Sequence, residues 1–172
     1  LAKEGANVAF SYREREDLVT ETMLELNELG FQSMSFQADV RDRQALRKVF
    51  SSIDKEWGGL DILINNAGIN KPTDFDQVTD EDWDEILSVN LKGPFTCSQE
   101  ALPLLRKSGN ASIVNIGSVS GQYGGPRTAH YAASKAGLIS LSQVIARFGA
   151  KDKIRSNTVA AGIIGSDMAL EG

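Results

Sequence analysis

Short apolar segments alternate with longer amphipathic segments along almost the entire chain, and no other feature of the sequence restricts its fold as strongly. The apolar segments predict buried strands at residues 6–12, 33–38, 60–64, 111–117 and 154–159. The amphipathic segments predict helices at residues 14–29, 41–57, 80–106 and 129–148. Strands that are joined through helices form right-handed βαβ units, which assemble into a parallel sheet. The sequence therefore predicts one α/β domain built on a doubly wound parallel sheet.

Three local features refine this pattern. Residues 1–5 are typical of the last turn of a helix that ends at a glycine, and the domain is therefore expected to begin before Leu1. Gly93-Pro94 predicts a kink or a break inside the long helical segment at 80–106. The glycine-rich residues 118–126 predict a loop before the last helix.

Composition and charge argue against several classes of function. The 172 residues carry a formal net charge of −5, and this acidic balance argues against a general affinity for nucleic acid. No apolar run approaches the roughly 18 residues that a membrane helix needs, so no membrane partner is expected. Cys97 is the only cysteine, which excludes an internal disulfide and a cysteine-based zinc site and favours the reducing cytoplasm. No cluster of histidines and acids predicts a metal site.

Candidate site residues follow the predicted strands, because ligands of such sheets bind beyond the carboxyl ends of the strands. Asn65-Asn66-Ala67-Gly68 follows the third strand, and its small residues let the backbone approach a flat ligand closely. The same four residues are also typical of an ordinary turn. Ser118 follows the next strand, where its hydroxyl is either catalytic or an ordinary loop hydroxyl.

A tyrosine and a lysine stand four residues apart at the beginning of the last predicted helix, in Tyr131-Ala132-Ala133-Ser134-Lys135. Both side chains are therefore expected on one face of this helix. An ammonium group beside a phenol favours the phenolate and makes the hydroxyl a better proton donor. The alternative interpretation is a solvated helix face without a chemical role.

Taken together, Asn65-Asn66-Ala67-Gly68, Asn90, Ser118 and Tyr131-x-x-x-Lys135 occur in an order and spacing that resembles the short-chain dehydrogenases/reductases. The resemblance covers essentially the whole chain and implies a three-layer, Rossmann-like domain. It also implies that residues 1–172 are the central portion of one NAD(P)-binding domain of about 250 residues. In relatives, the first strand and a glycine-rich phosphate loop precede the position of Leu1, and a lid helix and the last strand follow that of Gly172.

The resemblance implies a role for each residue of the motif. Tyr131 would be the general acid that protonates a substrate carbonyl oxygen, and Lys135 would assist it and hold the nicotinamide-ribose hydroxyls. Ser118 would hydrogen-bond the carbonyl and the developing alkoxide. Asn90 would support a water that links Lys135 to solvent, or alternatively it is an amide with a purely structural bond. His130 is given no catalytic role, because the position before the tyrosine is not catalytic in this family.

Contacts with the cofactor are implied in the same way. Asp39 and Val40 would bracket the adenine, and Asn66, Ala67 and Gly68 would line the adenosine ribose and the nicotinamide side. The segment around Gly162, Ile164 and Ser166 would receive the carboxamide, although the family usually has proline where this chain has Ala161.

The choice between NADPH and NADH is inferred from the end of the second strand of such a domain. An acid at this position would bind the ribose 2′-hydroxyl and repel a 2′-phosphate. Residues 11–13 contain no acid, and Arg13 offers a planar fork that suits phosphate. NADPH is therefore favoured over NADH. The alternative is an exposed Arg13 that pairs with Glu16 or Asp17.

Three functions remain open at this point. The first is an NADPH-dependent oxidoreductase that transfers a hydride to a 3-oxoacyl thioester, either 3-oxoacyl-acyl carrier protein of fatty acid biosynthesis or acetoacetyl-CoA. The second is an NAD(P)-dependent dehydrogenase of a sugar, polyol or other secondary alcohol. The third is a non-catalytic nucleotide-binding or scaffold protein. The resemblance further implies a homotetramer that pairs the helices at 80–106 and 129–148.

Overall fold

A computed structural model of the protein describes residues 1–28, 30 and 32–162. Its strands are β1 (Val8–Tyr12), β2 (Ser33–Gln37), β3 (Ile62–Asn65), β4 (Ser112–Ile116) and β5 (Arg155–Val159). Its helices are α1 (Glu16–Glu28), α2 (Arg43–Trp57), α3 (Asp80–Leu87), α4 (Gly93–Ser108), α5 (Ser120–Tyr123) and α6 (Ala129–Gly149). The predicted alternation of strands and helices is confirmed. The predicted turn at residues 1–5 is a 3₁₀ turn, Ala2–Glu4, that ends at a left-handed Gly5.

All strand pairs are parallel, as predicted, but the described strands form two sheets instead of one. β1 pairs with β2 in the first sheet, and the second has the order β3-β4-β5. A cleft of about 960 Å³ lies between β1 and β3, and these two strands are not hydrogen-bonded to each other. The chain reverses its direction of travel across this cleft, which makes the cleft the topological switch point of a doubly wound fold.

The main core lies between the three-stranded sheet and helices α2 and α4. Leu105, Ala101 and Ile113 are completely buried there, and Phe50 and Ile53 of α2 pack into the same cluster. Because the chain reverses direction after β2, right-handed crossovers place α1 on the opposite face from α2 and α4. This arrangement gives the three layers that the sequence resemblance implied.

The long helical segment at 80–106 is interrupted close to the predicted position. A π-helical turn, Ser88–Lys92, separates α3 from α4, and α4 then begins at Gly93 with Pro94 in its first turn. Proline has no N–H and its ring fixes φ, so it is well tolerated in a first turn. The break is therefore one turn of π-helix, a form often found at functional sites.

The predicted loop at 118–126 was wrong in part, because it contains the short helix α5. This helix packs directly on α6 through Gly121. A β-carbon at that position would lie only 2.7 Å from the carbonyl carbon of Lys135 and 2.8 Å from the nitrogen of Ala136. The absence of a side chain therefore lets α5 lie against the backbone of α6, next to Lys135.

A buried chain of polar side chains connects the three strands β3, β4 and β5 with two helices. Asn65 donates to Asn115 at 2.8 Å and to Ser98 of α4 at 3.1 Å. Asn115 in turn donates to Ser156 at 3.3 Å, and Ser156 bonds with Ser142 of α6 at 2.9 Å. Since buried polar groups are costly without partners, these bonds favour one register of the strands.

Replacing Asn115 with leucine is expected to lower the free energy of unfolding by about 2–3 kcal/mol, because it leaves buried polar partners without hydrogen bonds. Urea denaturation would measure this loss. Asn157→Leu is the matched control, since the Asn157 side chain is exposed on the neighbouring strand. An equal loss in the two variants would contradict the role of the network.

Candidate active site

The predicted site residues lie at the carboxyl ends of the parallel strands. Asn66 directly follows β3, Ser118 follows β4 by two residues, and Gly162 lies in the segment after β5. The loops after β4 and β5 are joined, because the Val119 N–H donates to the Ala161 carbonyl at 2.9 Å. The fold therefore brings these separate sequence segments to one edge of the sheet.

Lys135 and Tyr131 share a face of α6, as their spacing predicts. The Lys135 Nζ lies 5.6 Å from the centre of the Tyr131 ring and donates to the Ile116 carbonyl at 2.8 Å. Only 4% of the lysine is exposed, and this burial lowers the pKa of its amine to about 8. The alternative of a solvated helix face is wrong for Lys135. A buried amine near a phenol can, in its charged form, stabilise the phenolate, and it can also relay a proton.

Gly68 lies where three elements converge on this amine. A β-carbon built on Gly68 would lie 3.4 Å from the Lys135 Nζ and 3.5 Å from the Asn90 Oδ1. The loop after β3, the π-helical turn and α6 therefore meet at Gly68. Without a side chain at this position, the backbone leaves room for a flat ligand next to the amine.

Asn90 is completely buried in the π-helical turn and its amide holds the loop after β3. Its Oδ1 accepts from the Ile69 N–H at 2.9 Å, and its Nδ2 donates to the Ile69 carbonyl at 2.9 Å. The Nδ2 also donates to the Ser134 hydroxyl at 3.2 Å. Asn90 therefore has structural bonds, and its predicted link to a catalytic water stays a prediction.

Ser118 is nearly buried, and its side-chain oxygen accepts from the Ser120 N–H at 3.1 Å. This bond fixes the turn into α5 and leaves the hydroxyl proton available for a substrate oxygen. Ile116, whose carbonyl accepts from Lys135, lies two residues earlier on the same strand. Ser118 and Lys135 are thus positioned by the same end of β4.

The predicted adenine residues follow β2. Asp39 pairs with Arg41 at 2.6 Å, and this guanidinium lowers the pKa of the Asp39 carboxyl, with a further contribution from Arg13. Val40 packs against Gly93, where an added β-carbon would lie 2.9 Å from a Val40 methyl group. Val40 also lines the cleft between β1 and β3.

Arg13 follows β1 and is about half exposed. It pairs with Glu14 at 2.8 Å, so the alternative pairing with Glu16 or Asp17 is wrong. Asp17 pairs with Arg15 instead. An ion pair between exposed neighbours is weak and leaves the guanidinium available for an anionic ligand.

The remaining predicted cofactor residues are Asn66, Ala67, Gly162, Ile164 and Ser166. Asn66 and Ala67 are exposed at the end of β3, and their contact with a cofactor stays a prediction. Gly162 is exposed as well. Ile164 and Ser166 lie outside the described residues.

Two buried residues beside Tyr131 make contacts that the sequence did not predict. His130 is completely buried, and its Nδ1 accepts from the Tyr131 N–H at 3.0 Å. Ser134 is completely buried as well and donates to the Tyr131 carbonyl at 2.7 Å. The available signal was a histidine directly before Tyr131 in the first turn of a helix, where backbone N–H groups lack partners.

The residues present fit a nicotinamide dinucleotide. The strand ends at the switch point carry small residues, and two of the three protons of the Lys135 ammonium remain for ligand oxygens beyond its bond to Ile116.

Among residues 1–28, 30 and 32–162, no group of three or more histidines, cysteines and acids is placed to hold a metal ion. In the same part of the chain, every helix is too short or too polar to span a membrane.

Comparison with known families agrees with this geometry. The model of one protein family, described as short chain dehydrogenase, matches residues 1–171. The chain belongs to the short-chain dehydrogenase family. It is therefore a member of a family of NAD(P)-dependent oxidoreductases.

Several members of the short-chain dehydrogenase family are similar over almost the whole chain. The 3-oxoacyl-[acyl-carrier-protein] reductase FabG of Staphylococcus aureus (strain Mu50) is 37% identical over 98% of this chain and 68% of its own length. FabG of Thermotoga maritima is 38% identical with the same coverage. The crystal structure of a Sinorhizobium meliloti 1021 protein assigned to the short-chain alcohol dehydrogenases has a TM-score of 0.90 and 36% identity, over 98% of this chain and 66% of that one. The chain thus spans about two thirds of the length of these relatives.

Replacing Lys135 with methionine is expected to raise the free energy of unfolding at pH 7 by about 1–3 kcal/mol, because it removes a charge that burial disfavours. Folding lowers the pKa of this amine from 10.5 to about 8, so the unfolded chain binds more protons between these two values. The penalty is therefore complete below about pH 8 and disappears as the pH rises to 10.5.

Urea denaturation of the parent protein and of the Lys135→Met variant, at pH 7 and above pH 10, would test this expectation. Lys151→Met, at an exposed lysine, is the control and should change stability little. A Lys135→Met variant that is less stable than the parent at pH 7 would contradict the buried-charge argument.

Proposed function

We propose that the protein is an NADPH-dependent oxidoreductase that reduces the carbonyl of a 3-oxoacyl thioester, with Tyr131 as the general acid. The observation that carries this proposal is the buried Lys135 amine, 5.6 Å from the Tyr131 ring at the carboxyl ends of the strands. Two FabG reductases that share more than a third of the aligned residues support the thioester as the substrate.

The chain's own residues would act on the substrate through proton transfer and hydrogen bonding. A bound NADPH supplies the hydride that reduces the carbonyl carbon. Tyr131 donates a proton to the carbonyl oxygen, and the neighbouring Lys135 ammonium stabilises the phenolate that remains. The Ser118 hydroxyl donates a hydrogen bond to the same oxygen as negative charge develops on it.

The cofactor would be held by residues along the strand ends. Asn66, Ala67 and Gly68 contact the adenosine ribose and the nicotinamide side in this proposal, and Asp39 and Val40 flank the adenine. Lys135 also holds the nicotinamide-ribose hydroxyls. The segment after Gly162, including Ile164 and Ser166, receives the carboxamide.

Asn90 is proposed to help return a proton to Lys135. Its Oδ1 accepts one bond from Ile69 and has a second lone pair, and this atom lies near Gly68 on the same side as the Lys135 amine. A water held at this oxygen would link the amine to solvent.

The reverse chemistry is a second candidate. The similar structure from Sinorhizobium meliloti belongs to a protein assigned to the alcohol dehydrogenases, which favours oxidation of a sugar, polyol or other secondary alcohol. A non-catalytic nucleotide-binding or scaffold role is the least supported, because Asn90, Ser118, Tyr131 and Lys135 are all present.

Replacing Tyr131 with phenylalanine is expected to lower turnover by roughly a hundredfold or more, because it removes the proton donor and preserves the ring. Binding of NADPH should be nearly unchanged. NADPH absorbance with acetoacetyl-CoA measures the reduction, and glucose with NADP⁺ tests the second candidate.

Tyr123→Phe is the matched control, because Tyr123 is 86% exposed at the end of α5. This variant should retain the parent's turnover. Substantial turnover by Tyr131→Phe would exclude the proposed general acid, and a parent without activity toward either substrate would contradict both enzymatic candidates.

NADPH is proposed over NADH because of Arg13. Its guanidinium lies at the end of β1 and contributes to the lowered pKa of Asp39, so it is near the proposed adenine end of the site. A planar guanidinium binds phosphate through two hydrogen bonds. The exposed Glu14 that it now contacts is readily displaced by a doubly charged 2′-phosphate.

Replacing Arg13 with alanine is expected to raise the KM for NADPH by roughly tenfold, as the loss of one charge-assisted contact requires. The KM for NADH should change little, because NADH has no 2′-phosphate. Arg15→Ala, at a second exposed arginine nearby, serves as the control. Equal effects on NADPH and NADH would contradict recognition of the 2′-phosphate.

The described residues are also proposed to form the central portion of one NAD(P)-binding domain. The edges of β1 and β3 face the same cleft, and Ile62 and Ile64 of β3 are more than two fifths exposed. One further parallel strand in this cleft would pair with both edges and join the two sheets. A complete domain is expected to carry the glycine-rich phosphate loop directly after that strand.

The assembly is proposed to be a homotetramer that pairs α4 and α6 with their copies. Phe95 of α4 and Val144 and Phe148 of α6 are 42%, 57% and 51% exposed, which leaves apolar surface on both helices.

The single cysteine is a buried thiol, and we propose a location in the reducing cytoplasm.

A further inference from the structure

His130 is a polar residue that is buried next to the proposed general acid. It is the only histidine of the chain, it is completely buried, and it directly precedes Tyr131 in the first turn of α6. A buried histidine beside a proposed general acid needs either hydrogen-bond partners or a structural reason, since burying a polar ring is costly.

The His130 ring takes the place of the usual cap of α6. Helices begin with backbone N–H groups that have no partner within the helix. The side chain of the residue directly before the helix often accepts hydrogen bonds from them. Thr128 precedes α6, but its hydroxyl donates to the Gly125 carbonyl at 2.9 Å and does not cap the helix. The His130 Nδ1 accepts from the Tyr131 N–H instead, at 3.0 Å.

The backbone of Tyr131 is therefore held by buried side chains on both sides. His130 accepts from its N–H, and the Ser134 hydroxyl donates to its carbonyl at 2.7 Å. Ser134 in turn accepts from Asn90 at 3.2 Å. Side chains therefore hold both the N–H and the carbonyl of the Tyr131 backbone, and the position of the Tyr131 phenol depends on that backbone.

This bond requires one form of the imidazole. Because Nδ1 accepts, a neutral ring carries its proton on Nε2. The Nε2 is buried and has no hydrogen-bond partner among the described residues. A protonated ring would instead direct an Nδ1–H at the Tyr131 N–H, so two donors would face each other and the bond would be lost.

The surroundings of His130 favour the neutral ring. Burial lowers the pKa of His130, and of the two charges that act on it, Asp82 of α3 raises this pKa and Lys71 lowers it. These two charges pair with each other at 2.5 Å, so neither is a free partner for the ring. No other charged group among the described residues contributes to the shift.

We propose that His130 is a positioning residue for Tyr131: its neutral imidazole fixes the first turn of α6, and protonation in acid releases that turn. This inference rests on the proposed function, in which Tyr131 is the general acid. It assigns to a residue outside the catalytic motif an effect on turnover and on its pH dependence.

Two substitutions separate the hydrogen bond from the volume of the ring. Asparagine at 130 has an acceptor oxygen attached where Nδ1 is attached and does not titrate, whereas leucine has no acceptor. His130→Leu is expected to lower kcat by roughly tenfold to a hundredfold through misplacement of the phenol, with the KM for NADPH unchanged. His130→Asn is expected to restore kcat and to remove the part of the acid-side decline in activity that belongs to His130.

Ser51→Ala, at an exposed position of α2, is the control and should leave kcat and its pH profile unchanged. If the parent is active and His130→Leu retains its kcat, or His130→Asn fails to restore it, the proposal is overturned. If the parent turns over no substrate of the panel, the proposed function has failed, and the next measurement still tests the bond.

Nitrogen NMR of histidine-labelled parent protein reports on this single ring without assignment. The expected spectrum at pH 7 is the neutral tautomer with its proton on Nε2, titrating below the ordinary histidine value. A neutral ring with its proton on Nδ1, or a ring that is protonated at pH 7, would overturn the proposal whatever the activity of the leucine variant.

Discussion

The hydrogen bond between Asn65 and Asn115 holds the central part of the sheet in one register, and the position of the candidate site depends on that register. A slip of β4 by one residue would turn Asn115 to the opposite face of the sheet and separate it from Asn65 and Ser156. The loops of the site begin directly after these strands. The amides therefore position, without touching a ligand, the residues that are proposed to bind one.

The same strand also positions the buried amine. The Ile116 carbonyl at the end of β4 accepts from Lys135, and the close packing of α5 through Gly121 covers the backbone at Lys135. Burial makes the charged form of the amine unfavourable, and the fold keeps the lysine there nonetheless. Such a cost in stability is typical of groups whose chemistry requires a shifted pKa.

Much of the fold was predictable because it follows from apolar periodicity. The five strands, the parallel pairing and the placement of Asn66, Ser118 and Lys135 after or beside strand ends depend on patterns that a sequence displays directly. The separation into two sheets does not follow from the alternation of residues, because it depends on which strand edges find partners. Alternation of residues carries no information about that.

The features that the sequence concealed depend on contacts between distant segments. Gly121 is one glycine among several in a predicted loop, and only its close contact with the backbone of α6 shows why a side chain does not fit there. The place of His130 directly before Tyr131 is visible in the sequence, but its contact with the Tyr131 N–H depends on complete burial and on the absence of another cap for the helix. The pairing of Arg13 with Glu14 is likewise a choice among adjacent acids that periodicity does not distinguish.

The π-helical turn at Ser88–Lys92 has a consequence for how the chain tolerates change in length. Such a turn contains one residue more than an α-helical turn, so deletion of one residue would restore regular hydrogen bonding without breaking the helix. Each residue of an α-helix rotates the chain by about 100°, so the deletion would turn Asn90 away from Ile69 or rotate α4 relative to α3. The number of residues in this segment is therefore more constrained than the identity of most of them.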